Sequence, residues 1–368
     1  MDRSAAYAHF RASYARQQVT LGAGARQWRF FDAAVAKAPG LVPLLCVPGT
    51  TTSAEAFFVV HNALCDAGYR VLSLDYPGAS SGREWAVNLL EFLDYVHIDK
   101  VHIFGLELGG HLALWFACTF PERVASLILC QAFLSTTPTP LRSTFPLLPA
   151  FVLRRHVSKS PHSAGADARV ADAVAFAAAL LDAMPRDDVL SRLLLRSSPI
   201  ALPGLEELSS IAITNLRAAS PSSPTQQECA EVLGALPRCR SVDMDVEGDL
   251  PILSCPDDVL RHVRQHLDAF PNTCSTDEGR DVTAAAVPPA ASSPSLLLFD
   301  RNAFTAHPRI LSEDAARAEQ RPAVVVPVPA PAPVVRKRVN DERERRKQEL
   351  FRRSTARSHD ATLESVFD

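Results

Sequence analysis

Short apolar runs without polar alternation recur between residues 41 and 270, and a segment with helical spacing follows most of them. A strand that is apolar on both faces is typical of a parallel sheet covered by helices on both sides. Repeated β-α units cross over right-handedly, and ligands bind beyond the carboxyl ends of their strands. The pattern predicts an α/β fold with a mostly parallel, doubly wound sheet. The predicted strands are Leu41–Val47, Tyr69–Leu74, Val101–Phe104, Val124–Leu129, Ser210–Leu216 and Arg240–Val246, after a short hairpin of Gln17–Leu21 and Gln27–Asp32.

One turn in this pattern carries a chemical signature. The sequence Gly105-Leu-Glu-Leu-Gly-Gly110 closes a predicted strand and opens a predicted helix. It has the G-x-S-x-G frame of a nucleophile elbow, but Glu107 stands where serine is expected. Gly105, Gly109 and Gly110 permit the sharp bend that holds the central side chain clear of the sheet. The frame leaves two interpretations open, since Glu107 is either a different nucleophile or the occupant of a vacated position.

The acid and histidine positions that would complete a hydrolytic site are also altered. After the strand that should carry the acid the chain reads Arg217-Ala-Ala-Ser220, so that Ala218 replaces a carboxylate. The segment Glu247-Gly-Asp-Leu-Pro251 places Asp249 at the histidine position. We predict that residues 107, 218 and 249 are three vacated catalytic positions.

The loop that should stabilise an oxyanion is degenerate as well. Pro48, Gly49 and Thr50 replace the usual His-Gly pair, and we expect their backbone N–H groups to face the elbow. The favoured role for Glu107 is a cap on the helix that follows, because negative charge stabilises a helix N-terminus.

A carboxylate nucleophile at Glu107 is the alternative, as in epoxide hydrolases and haloalkane dehalogenases, which attack with an elbow aspartate. The ester it forms needs a general base to activate water. The candidate histidines are His61, His102, His111, His262 and His266, and none is predicted to serve. A metal site at Glu107 and Asp249 lacks a third ligand, so we predict neither a metal nor a cofactor. A third interpretation keeps the pocket as a non-catalytic sensor of a small molecule.

Composition excludes several classes of protein. The net charge of −3 gives no global electrostatic case for binding nucleic acid or an anionic membrane. The eight cysteines lack zinc-type spacing, which favours a reducing compartment over a disulfide framework. The longest apolar stretch, Ala173–Leu181, is far shorter than the roughly 20 residues that span a bilayer. We expect a cytoplasmic protein with at most peripheral membrane association.

The chain divides into a predicted α/β domain at residues 1–270 and a tail at residues 271–368. Residues 134–205 interrupt the β-α rhythm with prolines and then two helical segments, which predicts a helical cap over the mouth of the sheet. The tail contains a proline-rich run, Val324–Val335, and a charged, helix-prone segment at residues 336–353. Its composition is typical of a mostly disordered segment.

Several local sequences resemble the maspardin family of the α/β-hydrolase superfamily, and the likeness covers roughly residues 10–270. They include Asp99–Gly110, Val124–Phe133, Gly68–Pro77, Leu147–Phe151 and Glu247–Pro251. The resemblance implies a non-catalytic, adaptor-like protein of the cytosol and of endosomal and trans-Golgi membranes, with protein partners such as a receptor's cytoplasmic tail. Maspardins commonly keep a serine in the elbow, so Glu107 departs from the family pattern.

Overall fold

The computed structural model describes residues 3–22, 26–33, 41–135, 139–157, 168–197, 202–218, 224–245 and 250–270. Within these ranges eight strands form one sheet in the order β1-β2-β4-β3-β5-β6-β7-β8. β2 runs antiparallel to β1 and β4, and the other neighbouring pairs are parallel. The predicted α/β sheet is therefore confirmed. The strands are β1 (Arg16–Leu21), β2 (Arg26–Asp32), β3 (Leu44–Val47), β4 (Val71–Asp75), β5 (Val101–Leu106), β6 (Val124–Cys130), β7 (Ala212–Ala218) and β8 (Cys239–Met244).

Helices connect the strands and cover both faces of the sheet. In the described ranges the α-helices are α1 (Arg3–Ser13), α2 (Phe58–Asp66), α3 (Gly82–Tyr95), α4 (Leu108–Thr119), α5 (Ala150–Val157), α6 (Ala168–Ala183), α7 (Arg186–Arg196), α8 (Pro224–Gly234), α9 (Pro251–Ser254) and α10 (Pro256–Ala269). Local sequence sets several of their ends. The Ser81 hydroxyl, for example, accepts a hydrogen bond from the Glu84 backbone N–H at 3.2 Å and so caps α3.

Two hydrophobic cores lie on opposite faces of the sheet, which explains why the strands lack polar alternation. In β3, Leu45 and Val47 pack in the core shared with α3, α4 and α8. Leu44 and Cys46 point the other way, into the core shared with α1, α2 and α10. All four side chains are fully buried. Burial on both faces is the arrangement that parallel sheets require.

The segment between β6 and β7 contains a 3₁₀ helix (Pro140–Leu147) followed by α5, α6 and α7. These elements enclose a small apolar cluster of their own, centred on Phe145, Leu153 and Leu193. The sequence predicted helices over Asp172–Met184 and Val189–Leu195, close to α6 and α7. It predicted a loop punctuated by Pro138, Pro140, Pro146 and Pro149, whereas residues Pro140–Leu147 form a 3₁₀ helix, so this prediction was wrong there. Pro146 lies inside the 3₁₀ helix, near its C-terminal end.

Candidate functional site

The elbow lies between β5 and α4, with Glu107 as the single residue that joins them. The φ angle of Glu107 is +47°, a left-handed value that non-glycine residues seldom adopt. The neighbouring glycines are required by close approach of backbone. A Cβ at Gly105 would lie 2.6 Å from the Gly110 Cα, and one at Gly109 would lie 2.3 Å from the Val47 carbonyl oxygen. The turn therefore retains the strained geometry that presents a central side chain at the carboxyl edge of the sheet.

The carboxylate of Glu107 is held by the loop that follows β3. Its Oε2 accepts a hydrogen bond from the Thr50 backbone N–H at 2.8 Å, and its Oε1 accepts one from Thr50 Oγ1 at 3.2 Å. It also forms an ion pair with Arg196 at the end of α7. No hydrogen bond joins the carboxylate to the first turn of α4. The expected capping role is therefore corrected, because the carboxylate is turned towards the loop instead.

Gly49 makes this contact possible. A Cβ at residue 49 would lie 2.7 Å from Glu107 Oε2 and 3.1 Å from Glu107 Cβ, so any larger residue would push the carboxylate away. The loop conformation is fixed on its other side, where the Gly49 N–H donates to Thr52 Oγ1 at 3.0 Å. The backbone N–H of Thr50, which was expected to face the elbow, thus donates its hydrogen bond to the Glu107 carboxylate.

Helix α7 presents three charged side chains towards the edge of the sheet from a single face. Asp188, Arg192 and Arg196 are spaced i, i+4 and i+8, which aligns them along one side of a helix. Asp188 pairs with Arg29 of β2, while Arg196 pairs with Glu107. These two ion pairs reach β2 and the elbow, respectively, so they fix α7 across the elbow.

Arg192 is the most buried of these groups, at 1% relative exposure. Its Nη1 donates to the Gly49 carbonyl at 2.9 Å and to the Thr52 carbonyl, and its Nη2 lies 3.3 Å from Asp75 Oδ1. The guanidinium carbon stands 4.7 Å from the centre of the Tyr76 ring. Burial raises the pKa of Tyr76 to about 12, an effect that Arg192 opposes. The arginine therefore ties the helix to the same loop that holds Glu107.

Of the two other predicted positions, only one lies in the described part of the chain. Ala218 is the last residue of β7 and is buried, at 3% relative exposure. Asp249 lies outside the described residues, as do residues 219–223 and the predicted tail. A methyl group at the end of β7 has no acid–base chemistry, so residue 218 offers nothing to orient a histidine.

The candidate histidines in the described residues are engaged away from Glu107. Their nitrogens lie within hydrogen-bond distance of Ser73 Oγ (His61), Ser126 Oγ (His102), the Phe133 carbonyl (His111), Gln265 Oε1 (His262), and Thr214 Oγ1 and Ser126 Oγ (His266). Burial lowers the pKa of His111 to about 4 and that of His61 to about 3. In none of these contacts does a histidine nitrogen meet the carboxylate of Glu107.

Metal and thiol chemistry find no support in the described ranges. Those residues contain no group of three or more His, Cys, Asp or Glu side chains that could hold a metal ion. The described cysteines are free, and burial raises the pKa of Cys65 and of Cys255 to about 11.

Among the described helices, none combines the length and hydropathy needed to cross a bilayer.

Sequence reasoning missed Arg192 and Arg196, the two side chains that complete this site. Their i, i+4 spacing was a visible signal, but the predicted helix, Val189–Leu195, ended one residue before Arg196 and began one residue after Asp188. What the sequence does not show is the partner of each charge, because Glu107 and Arg196 are 89 positions apart in the chain.

Comparison with known proteins places this geometry in a family. Residues 42–154 match a family model of the alpha/beta hydrolase fold. Maspardin from Danio rerio is 31% identical over 236 residues, which cover 63% of this chain and 76% of the relative. The chain belongs to the maspardin family. Maspardin from Mus musculus is 32% identical over the same length and the same shares of both chains.

Solved structures agree with the maspardin assignment at the level of the fold. A thermophilic esterase from Thermogutta terrifontis superposes with a TM-score of 0.58 at 20% identity, covering 70% of this chain and 99% of the esterase. An identity this low shows a shared fold and leaves the activity to be argued from the residues. In this member of the maspardin family, Glu107 occupies the central position of the elbow.

Replacing Glu107 tests whether its carboxylate supports the Thr50 loop. Glu107→Ala leaves the buried Thr50 N–H without an acceptor, so we expect a loss of about 1–3 kcal/mol in the free energy of unfolding. Glu107→Gln keeps an acceptor oxygen and loses only the partly exposed ion pair, which is worth less than about 1 kcal/mol. Urea denaturation followed by circular dichroism measures both. Equal losses in the two variants would contradict the hydrogen bond to Thr50.

Proposed function

We propose that this maspardin-family chain is a non-catalytic adaptor or scaffold protein that binds protein partners in the cytosol. The proposal includes peripheral association with endosomal or trans-Golgi membranes and a receptor's cytoplasmic tail as one kind of partner, as the family resemblance implies. The observation that carries the non-catalytic part is the position of the Glu107 carboxylate, on the Thr50 N–H and beside Arg196.

A hydrolase of this fold keeps its oxyanion donors free for the charge that develops in the transition state. Here the backbone N–H of Thr50 already donates to the side-chain carboxylate of Glu107 at 2.8 Å. A substrate oxygen that developed negative charge at this place would be repelled by that carboxylate. The arrangement supports a site that is filled by the protein itself.

The same contacts weaken Glu107 as a nucleophile. Attack requires a carboxylate oxygen with an available lone pair and a clear approach, whereas Oε1 faces both Thr50 Oγ1 and Arg196. Turnover of an ester intermediate would further require a base to activate water. Ala218 and the engaged histidines provide no such group among the described residues.

Restoring the missing serine tests whether the remaining positions are also vacated. We expect Glu107→Ser to show no ester hydrolysis above that of Glu107→Ala, because a serine without a base has an unactivated hydroxyl. The measurement is initial rates with short p-nitrophenyl esters, using folded variants of the full chain. Hydrolysis by the serine variant that exceeds the alanine variant tenfold or more would contradict the proposal, since it requires a functioning base.

The carboxylate-nucleophile hydrolase, similar to an epoxide hydrolase, is the alternative, and one observation favours it. Glu107 keeps the strained backbone of an elbow, with φ at +47°, and its side chain is 19% exposed. A covalent ester on Glu107, trapped with a reactive epoxide, would establish this function in place of the first.

The adaptor role is tested separately by capture of partners. Proximity labelling and pull-down should recover the same proteins with the full chain and with Glu107→Gln, because binding does not depend on chemistry at the elbow. Comparison with a chain that ends at residue 270 assigns each partner to the α/β domain or to the tail. Absence of any specific partner in both experiments would contradict the adaptor proposal.

A further inference from the structure

One segment between β6 and β7 exposes an unusual amount of apolar surface. Among the described residues four large hydrophobic side chains are exposed, and three of them lie between positions 141 and 151. Leu141 is 53% exposed, Leu147 is 83% exposed and Phe151 is 70% exposed. The fourth, Tyr95, is 51% exposed and lies at the end of α3. Single exposed apolar residues are ordinary, whereas a cluster in one short segment marks an interaction surface.

The backbone that carries these side chains is anchored from below. Phe145 and Leu153, on the same 3₁₀ helix and α5, are fully buried in the apolar cluster of the cap segment. Arg186 of α7 donates to the Pro146 carbonyl at 2.6 Å and to the Leu148 carbonyl at 3.0 Å. Leu147 and Phe151 therefore project outwards from an anchored segment while their neighbours fill the interior.

Charge distinguishes this segment from the rest of the chain. Residues 123–166 contain no aspartate or glutamate, although the whole chain has 41 acidic residues and a net charge of −3. Arg142 and Arg155 are exposed beside the projecting apolar side chains. Arg154 is turned inwards, where its Nη2 donates to the Met184 carbonyl at 2.7 Å. We define the cap surface as Leu141, Arg142, Leu147, Phe151 and Arg155.

We infer that the cap surface docks on an anionic lipid bilayer, with Leu147 and Phe151 inserted at the level of the headgroups. The projecting apolar side chains are bordered by Arg142 and Arg155, and the exposed Asp187 of α7 is paired with Arg186 at 3.2 Å. Apolar insertion and positive charge are the two attractions that hold interfacial helices on membranes. A peptide ligand would instead require a groove lined by half-buried side chains, whereas Leu147 stands almost entirely in solvent. The net charge of −3 makes no global electrostatic case for a membrane, because the acidic remainder of the chain outweighs the positive charge of this segment.

This inference deepens the peripheral membrane role in the proposed function, and it is tested on vesicles, where catalysis and protein partners play no part. The full chain is sedimented with phosphatidylcholine vesicles that contain 30% phosphatidylserine, and with phosphatidylcholine alone. We expect binding to the anionic vesicles and a loss of more than about tenfold in partition coefficient for the double variant Leu147→Glu, Phe151→Glu. Arg142→Gln and Arg155→Gln should each weaken binding roughly fivefold. Tyr95→Glu is the matched control, with an equally large exposed side chain removed elsewhere and no loss expected.

Insertion is measured directly with tryptophan substitutions and brominated lipids. Leu147→Trp should be quenched by the brominated bilayer, and Tyr95→Trp should not. Binding of the double glutamate variant equal to that of the unaltered chain would overturn the inference, since the tail with its basic segment at residues 336–353 would then account for all of the attraction. Absence of vesicle binding, or loss of a captured protein partner without any effect on vesicles, would equally overturn it. A reduced partner list with Glu107 variants bears only on the proposed function, so that the two failures are distinguishable.

Discussion

Acidification from pH 6.5 to pH 4 is expected to unfold the α/β domain, because four buried histidines are held neutral by the fold. Burial lowers the pKa of His61 and His266 to about 3, and that of His102 and His111 to about 4. Their relative exposures lie between 0% and 2%. Each imidazole is solvated and free to accept a proton only after the chain unfolds.

The sign of the effect follows from the direction of these pKa values. Above about pH 6.5 both folded and unfolded states hold neutral histidines, so stability does not depend on them. As the pH falls below that value, the histidines bind protons in the unfolded state but remain neutral in the folded state. The free energy of unfolding therefore decreases. The loss continues until the pH reaches the folded-state pKa values near 4 and 3. Each histidine contributes up to about 1.4 kcal/mol per pH unit, so four together contribute roughly 5 kcal/mol per unit.

That slope is large beside the 5–15 kcal/mol that stabilises a typical domain, so the acid midpoint should lie at roughly pH 5.

Two of the histidines are coupled, because His102 Nδ1 and His266 Nε2 lie 2.6 Å and 2.7 Å from the same Ser126 oxygen. A proton on one ring therefore disfavours a proton on the other. Thr214 Oγ1, at 2.7 Å from His266 Nδ1, completes the chain of contacts that faces these rings.

Urea denaturation at half-unit steps between pH 7.5 and pH 4.5 measures the slope. His266→Gln is expected to lower stability at neutral pH and to reduce the slope by about 1.4 kcal/mol per pH unit, one histidine's share. His9→Gln, the same substitution at an exposed position of α1, is the matched control. A free energy of unfolding that stays constant between pH 6.5 and pH 4.5 would contradict the burial of neutral imidazoles.

Loss of the Arg192 side chain is expected to be the most destabilising single truncation at the site. Arg192→Ala removes hydrogen bonds to the carbonyls of Gly49 and Thr52, and it removes one partner of the buried Asp75 carboxylate. Breaking a buried ion pair typically costs about 3–5 kcal/mol. Asp75 retains the Arg16 guanidinium and the Ala54 N–H, each at 3.0 Å, so we expect the lower end, about 3 kcal/mol.

Arg196→Ala provides the comparison, since it removes an arginine one turn further along α7 from a position that is 48% exposed. We expect a loss of less than about 1 kcal/mol for this variant. Equilibrium urea unfolding gives both values, and amide exchange in α7 reports whether the helix detaches locally. The account of α7 as a helix held chiefly through Arg192 is contradicted if the two variants lose equal stability.

The sheet was predictable because its signal is local. A run such as Val101–Phe104 is apolar apart from His102, and this local composition identifies it as a strand buried on both faces before its neighbours in the sheet are known. The elbow was predictable because its glycine spacing is a local motif, although the backbone that makes Gly109 necessary is that of Val47, in another strand. By contrast, α1 gave no clear signal in the sequence, because tertiary packing of residues such as Phe10, fully buried between α2 and β2, stabilises it.

The chemistry of the site was less predictable because it depends on distant pairs. Glu107 was expected to cap α4, and a free carboxylate at a helix N-terminus would do so. The positive φ angle and the absence of a Cβ at Gly49 instead turn the side chain to Thr50, where Arg196 meets it. The residues next to Glu107 in the sequence do not encode this orientation of its side chain. The groups that receive it, Thr50 and Arg196, are 57 and 89 positions away in the chain.

Intact-protein mass spectrometry after incubation with a reactive aryl epoxide tests most directly whether Glu107 attacks a substrate. We expect an unchanged mass for the full chain, with epoxide turnover no faster than that of the Glu107→Gln variant. A covalent adduct that maps to Glu107 and is absent from Glu107→Gln would contradict it, and would make this member of the maspardin family a hydrolase with a carboxylate nucleophile.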